Sequence, residues 1–185
     1  MHIAVLVGSM RRNGNTQALA RRFAEGAGRD NEVEIVSVSD FVVNPCTGCN
    51  YCYGSEGNRC RQDDGMSEIY AKLAEADVIV VASPVYFYGI SASLKAVVDR
   101  LHTPMRKTFR VKGLSLLLVG ATELPDLFDS IIAQYELVLR FFGLEDLGRV
   151  LVGGVKDEGD IEGSKALDEA YELGLSIGRA TLERL

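Results

Sequence analysis

Gly8-Ser9-Met10-Arg11-Arg12-Asn13-Gly14-Asn15-Thr16 follows directly on an apolar run at residues 2–7 and leads into a helical pattern at about 16–27. A strand, a glycine-bearing loop of small polar side chains and then a helix is the chemistry of an anion site. The backbone can wrap the anion, the first N–H groups of the helix point at it, and the helix dipole favours its charge. Arg11 adds a fork-shaped donor. The stretch is neither G-x-G-x-x-G nor G-x-x-x-x-G-K-[ST], so it fits neither the dinucleotide nor the nucleoside-triphosphate fingerprint and suits a monophosphate instead. The competing reading is an ordinary Gly/Asn turn with Arg11 and Arg12 merely solvated.

Working outward, β-branched apolar runs recur at 2–7, 33–38, 78–82, 114–119 and 150–153, with helical spacing between them. Their near-continuous apolarity means that both faces are covered, as in a parallel sheet between helix layers. Ser91 reads as the N-cap of a helix carrying Leu94, Val97, Val98 and Leu101 on one stripe. Leu127 to Phe142 forms a second stripe closed by Gly143. A last helix at about 162–185 carries Gly174 and Gly178 as close-packing points. The expectation is an α/β fold with a doubly wound, five-stranded parallel sheet of order 2-1-3-4-5 and helices on both faces. Ligands then sit beyond the carboxyl ends of the strands, where the loops after strands one, three and four meet.

With 185 residues, 47% of them hydrophobic, the chain suits a single domain at 1–185. A formal charge of −6 and a pI near 5.0 argue against nucleic acid and anionic membranes as partners. The N-terminus has no basic segment ahead of its apolar run, and no run approaches a bilayer span, so the expected location is cytoplasmic. In that reducing setting the four cysteines read as ligands or redox groups rather than disulfides. All four lie in one irregular insertion at about 39–65, longer than a compact domain needs for a connection.

After the third strand comes Ser83-Pro84-Val85-Tyr86-Phe87-Tyr88-Gly89-Ile90-Ser91. Three adjacent aromatics cannot all face a core, so at least one is expected to meet a flat ligand or another subunit. The alternative is core or dimer packing. GSMRRNGNT and SPVYFYGISASLKAVVDRL together resemble the flavodoxin-like NAD(P)H-dependent FMN reductases. In that family G-S-x-R-x-x-x-N/S-T holds the FMN phosphate, and S-P-x-Y-x-x-x-x-S-x-x-L-K-x-x-x-D-R cradles the isoalloxazine. The resemblance implies a flavodoxin-like fold with FMN bound by Ser9, Arg11, Asn13, Gly14, Asn15 and Thr16 at the phosphate. Pro84, Val85, Tyr86, Phe87, Tyr88 and Gly120 would bind at the ring. The loop after strand four, Val119 to Pro125, lacks the glycine pair common in the family. NAD(P)H is the implied electron donor, and a homodimer or homotetramer the implied assembly.

Cys46, Cys49, Cys52 and Cys60 follow a C-x2-C-x2-C-x7-C spacing. Close CxxC steps let a short loop wrap a cluster, whereas zinc sites more often pair two separated knuckles. Free or disulfide-forming thiols are the other alternative. The spacing resembles the iron–sulfur flavoprotein branch of the same family, which implies a [4Fe–4S] cluster on these four residues. Three functions follow. The first is an FMN and [4Fe–4S] oxidoreductase exchanging electrons with a small-molecule or ferredoxin-like partner. The second is a cluster-free reductase acting on quinone, nitro, azo or metal acceptors. The third is a non-catalytic carrier or zinc-stabilised scaffold. No side chain is assigned as acid, base or nucleophile. His2 and His102 read as surface or cap residues, and Asp63 and Asp64 as serving the N-terminus of the helix near Met66. Residues 156–162 read as a solvated acidic loop, and Gly163-Ser164-Lys165 is not a Walker lysine.

Overall fold

The computed structural model describes the backbone of residues 1–184 and the side chains of residues 1–177. Strands and helices alternate through β1 (His2–Val7), α1 (Asn15–Ala27), β2 (Glu32–Ser37), α2 (Met66–Glu75) and β3 (Val78–Tyr86). Then come β4 (Gly89–Ile90), α3 (Ala92–Arg100), β5 (Gly113–Val119), α4 (Asp129–Phe142), β6 (Glu145–Val152) and α5 (Lys165–Arg184). The main sheet is parallel, in the order β2-β1-β3-β5-β6. That is the doubly wound order expected from the sequence, with one correction: among the described residues there are six strands rather than five. The extra strand, β4, is two residues long and pairs antiparallel with the end of β3. It arises because β3 runs on through Ser83-Pro84-Val85-Tyr86 and turns back at Phe87-Tyr88, in a stretch read from sequence as a loop.

Side-chain alternation divides the core. Ile3, Val5 and Val7 point to one face with Val80 and Leu117, where they meet Leu19 and Phe23 of α1 and Ala170 and Ile177 of α5. Ala4 and Leu6 point to the other, with Leu116 and Leu118, beneath Ile69 and Leu73 of α2, Leu94 and Val97 of α3, and Ile131 and Tyr135 of α4. The α1–α5 layer closes on glycines. A Cβ at Gly26 would stand 2.1 Å from the Tyr171 carbonyl oxygen, and one at Gly174 would stand 2.2 Å from that of Phe23. The packing role expected of Gly174 is thus met, while the side-chain position of Gly178 lies outside the described residues. Residues 156–162 form a largely exposed loop, as read from the sequence, with Ile161 its one fully buried side chain. The exposed carboxylate of Asp160 accepts the N–H groups of Lys156 at 2.9 Å and Asp157 at 2.8 Å. Those amides hold its carboxyl below the usual range.

The cysteine insertion is anchored at one point. At the end of α3, Arg100 donates to the Asp64 carboxylate at 2.6 Å and to the Asn44 carbonyl at 3.2 Å, tying together both ends of the loop. The two side chains are 2% and 4% exposed. Asn44 also donates its backbone N–H to Asp64 Oδ2 at 2.9 Å, and Met66 donates its own to Asp64 Oδ1 at 3.2 Å. Asp64 therefore does serve the start of α2, as expected, but its main partner is Arg100. Burial opposes the Asp64 charge, yet the hydrogen bonds from Arg100, Asn44 and Met66 prevail and hold its carboxyl below the usual carboxylate range. The Tyr70 hydroxyl donates to the Arg100 carbonyl at 2.7 Å, and burial pushes its pKa up to about 12.

Two outcomes are expected. Gly26→Ala gains roughly 1 kcal/mol of helix propensity but forces backbone apart at the α1–α5 crossing, so a net loss on the order of 1–2 kcal/mol is expected. An unchanged urea midpoint would contradict the crossing. Asp64→Asn leaves a buried guanidinium without its counter-charge, and the expected loss is about 3–5 kcal/mol at pH 7. Because the folded pKa of Asp64 is depressed, its contribution is complete above about pH 4 and disappears as pH falls through the folded value. Denaturation of wild type and Asp64→Asn across pH 7 to 3 is therefore expected to show the stability gap narrowing at the acid end.

Candidate functional site

The carboxyl ends of β1, β3 and β5 lie side by side, with Val7 level with Ala82 and Pro84 level with Val119. The loops that follow them gather at one edge. Ser91 holds two of these loops together. Its hydroxyl donates to the Gly8 carbonyl at 2.7 Å and accepts the Leu94 N–H at 3.2 Å, capping α3 as the sequence indicated. Its own N–H donates to Ser83 Oγ at 3.1 Å. Gly8 has no room for a side chain, since a Cβ there would lie 2.7 Å from Leu94 Cβ and 2.9 Å from Ser91 Oγ.

Along the first loop, Ser9 Oγ accepts the Arg11 N–H at 3.1 Å and closes a local turn. Ser9, Asn15 and Thr16 are buried, whereas Arg11, Arg12 and Asn13 are exposed. The N-terminus of α1 is capped by the backbone of Gly14, with no side-chain cap and no acidic residue in the first turn. Its leading N–H groups thus face the loop without a competing carboxylate, the arrangement that favours an anion. The side chain of Asn15 is engaged elsewhere. Its Nδ2 donates to the Asp157 carbonyl at 2.8 Å, and its Oδ1 accepts the Ile161 N–H at 3.4 Å. Arg11 donates through one arm to the Lys156 carbonyl at 3.1 Å. Residues 156–161 therefore brace this loop from behind, a role that acidic composition alone concealed.

The aromatic loop is the turn of the β3–β4 hairpin. Phe87 and Tyr88 both have positive φ, 50° and 63°, as the two central residues of a type I′ turn must. Such turns normally use Asn or Gly. Two aromatics there cost on the order of 1 kcal/mol or more each, and strain of this kind collects at ligand sites. Phe87 is 99% exposed and Tyr86 and Tyr88 are also exposed, so none of the three packs into the core. Ser130 at the start of α4 donates its hydroxyl to the Tyr88 carbonyl and steadies the turn. Pro84 and Val85 are half-buried behind it. Gly120 is buried, and the space a Cβ would take is filled by Leu127 at 2.4 Å.

The cysteine loop is separate in construction. Cys46 and Cys49 are exposed, Cys52 and Cys60 are half-buried, and all four are free thiols. Positive φ at Gly48, Asn50, Gly57 and Asn58 lets the chain reverse repeatedly. The convergence of the four thiols expected from their spacing is not present: among the described residues no group of three or more His, Cys, Asp or Glu side chains is placed to hold a metal. Backbone turns and anchors order this loop, and thiols exert no attraction on one another to gather them. The anchors include Thr103, which donates to the Asn58 carbonyl at 3.2 Å, and His102, whose ring meets Tyr53 edge-on at 5.6 Å. His102, read from sequence as a surface or cap residue, thus steadies the insertion. Hydrogen bonds from the Tyr51 backbone and the Thr47 hydroxyl lower the Cys49 pKa.

Sequence reasoning missed Ser91 as the link between the two loops and Arg100 as the anchor of the third. Arg100 could have been suspected, since it lies three residues after Val97 on the apolar side of α3 and yet carries a charge.

The chain is similar to several known proteins. An iron–sulfur flavoprotein of Methanocaldococcus jannaschii is 40% identical over 114 residues, which span 61% of this chain and 58% of that relative. An iron–sulfur flavoprotein of Archaeoglobus fulgidus is 31% identical over 180 residues, 95% of this chain and 78% of the relative. A solved NAD(P)H:quinone oxidoreductase from Methanothermobacter marburgensis superposes with a TM-score of 0.70 over 98% of both chains at 15% identity, a likeness of fold alone. The match to the NADPH-dependent FMN reductase family runs over residues 1–136, from β1 past both loops into α4, and this chain belongs to that family.

Proposed function

We propose that this protein is an FMN-dependent oxidoreductase in which the first loop holds the FMN phosphate and the β3–β4 hairpin faces the isoalloxazine. The observation that carries this reading is the Ser91 linkage, which sets a helix N-terminus without a side-chain cap beside a strained, exposed aromatic turn. The residues suit the cofactor. Ser9, Thr16 and the backbone around Asn13, Gly14 and Asn15 offer donors to a dianion, with the guanidinium of Arg11 at the rim. Pro84, Val85, Tyr86, Phe87 and Tyr88 offer a flat apolar wall. The Asn15 side chain orients the loop rather than meeting the phosphate, and Gly120 supports the third wall through its packing with Leu127. FMN, when bound, accepts hydride as a two-electron carrier. The protein's contribution is to hold and orient it, with NAD(P)H as donor.

We further propose that Cys46, Cys49, Cys52 and Cys60 are the ligands of a [4Fe–4S] cluster, which would make the protein a two-to-one electron converter. The resemblance to proteins named iron–sulfur flavoproteins supports this, as do the number and softness of the donors. So does a buried donor beside the loop: Arg100 Nε has no hydrogen-bond partner. A cluster-free reductase acting on quinone, nitro, azo or metal acceptors is the second reading, favoured by the dispersal of the four thiols. In either case a small molecule or a ferredoxin-like protein is the proposed exchange partner. Phe87, Leu137 and Phe141, exposed on the surface, support a homodimer or homotetramer. No helix among the described residues is long and apolar enough to cross a membrane, consistent with the proposed cytoplasmic location.

Protein purified without exposure to air is expected to show flavin absorbance with about four iron and four sulfide per chain. A clean flavin spectrum without iron leaves the cluster-free reductase. The double variant Arg11→Ala/Thr16→Ala removes two donors to a charged group, each worth about 1.5–3 kcal/mol. FMN affinity measured by fluorescence titration is expected to fall roughly a hundredfold or more. Unchanged affinity would refute the phosphate assignment.

A further inference from the structure

α3 and α4 cover the same face of the sheet but leave a gap between them. In it lies a cavity of ≈ 420 Å³, floored by Leu6 and Leu116 of the sheet and flanked by Val98 of α3 and Val138 of α4. Val98 and Val138 are only half-buried, so apolar surface remains uncovered there. Close-packed interiors hold few voids larger than a water molecule, whereas ligand sites occupy roughly 300–1,000 Å³. The charged residues that line the cavity, Lys95, Asp99 and Arg106, are exposed or half-buried and mark its mouth. Lys95 and Asp99 neutralise each other, and His102, also at the mouth, turns its ring to Tyr53. Arg106 is different. Its guanidinium lies over the rings of Phe141 and Phe142, 5.0 and 5.5 Å from their centres. Nη1 donates to the His102 carbonyl and to that of Thr103 at 2.9 Å, and among the described residues no carboxylate pairs with Arg106. An apolar cavity with one uncompensated cation at its rim is the result, in a chain of net charge −6.

We propose that this cavity binds a small amphipathic anion, with an apolar body held between α3 and α4 and a single carboxylate on Arg106. Nη1 is taken by the backbone, which leaves Nε and Nη2, the pair along one edge of the guanidinium. Two parallel N–H groups at that spacing match the two oxygens of a carboxylate. Stacking on Phe141 and Phe142 fixes the plane of the fork and removes part of its water, so a carboxylate there meets less competition from solvent. The apolar body covers the half-buried walls, which supplies the rest of the drive to bind. A neutral ligand of the same shape fills the cavity but leaves the fork unused. The competing occupant is a second copy of this chain, seated through the exposed Leu137 and Phe141 of its α4. Such a contact gives no preference between charged and neutral ligands. None of these residues belongs to the flavin or cysteine sites, so the proposal is independent of both readings.

The test is calorimetric titration of the purified protein with decanoate and with decan-1-ol, in wild type, Arg106→Gln and Val138→Trp, with FMN content and sedimentation measured alongside. Wild type is expected to take up one decanoate per chain and to prefer it to decanol by about tenfold to a hundredfold, the worth of one charge-assisted hydrogen-bonded pair. Arg106→Gln is expected to bind the two equally, at the affinity wild type shows for decanol. Val138→Trp fills the cavity and is expected to bind neither. FMN content is expected to be the same in all three and unaffected by decanoate. No uptake of decanoate by wild type, equal affinity for decanoate and decanol, release of FMN by decanoate, or binding that persists in Val138→Trp would each overturn the proposal. Wild type that takes up no decanoate and an oligomer that dissociates in Val138→Trp would assign the cleft to a second copy instead. If Val138→Trp fails to fold, the comparison of wild type with Arg106→Gln decides, and an unchanged preference for decanoate in that variant overturns the proposal.

Discussion

The three central strands have no polar face to offer. β1 and β5 are buried nearly end to end, and β3 is buried apart from a half-buried Val81 until it reaches Pro84. Each Å² of apolar surface removed from water contributes about 25 cal/mol, so leaving either side of this sheet bare would be prohibitive. Helices must cover both faces, and parallel strands must be joined by crossovers long enough to contain them. From that constraint the rest follows. Every connection leaves a strand at its carboxyl end, and the loops that do chemistry are brought to one edge. The chain order β2-β1-β3-β5-β6 then opens a crevice between the ends of β1 and β3.

Within that frame α3 links the sites. It begins at Ser91, in contact with Gly8 and Ser83, and it ends at Arg100, in contact with Asn44 and Asp64. The nine residues of α3 separate these two contacts, so the edge where the first and aromatic loops meet and the anchor of the cysteine loop are joined by a rod about 14 Å long. A rigid helix of this kind keeps the distance between the two loop regions fixed even where one of them has little regular structure. Buried polar groups at its two ends are fully committed, apart from Arg100 Nε.

Strain is concentrated where binding is proposed. Among the described residues, the positive-φ residues other than glycine are Asn50 and Asn58 in the cysteine loop and Phe87 and Tyr88 in the aromatic turn. Asparagine tolerates that conformation with little penalty, whereas bulky aromatics do not. Phe87 and Tyr88 are maintained because the short hairpin register between Val85–Tyr86 and Gly89–Ile90 and the hydrogen bond from Ser130 over-determine the turn. The stability of the sheet thus keeps an exposed aromatic surface poised rather than collapsed.

The βαβ alternation, the doubly wound order, the caps at Ser91 and Gly143 and the positions of the first and aromatic loops at the strand ends were legible in the sequence. Periodicity, capping chemistry and strand–loop–helix spacing are local, and each is written within about ten neighbouring residues. The four cysteines as a group were legible for the same reason. What only the tertiary structure decided are the pairings between distant segments: Ser91 with Gly8, Asn15 with residues 157 and 161, and Arg100 with Asp64 across thirty-six positions. It also decided the β4 hairpin, which depends on two aromatics accepting a conformation that their own preferences oppose. A single sequence records the preference of each residue for its neighbours along the chain. It does not record which buried charge will find its partner once the sheet has closed.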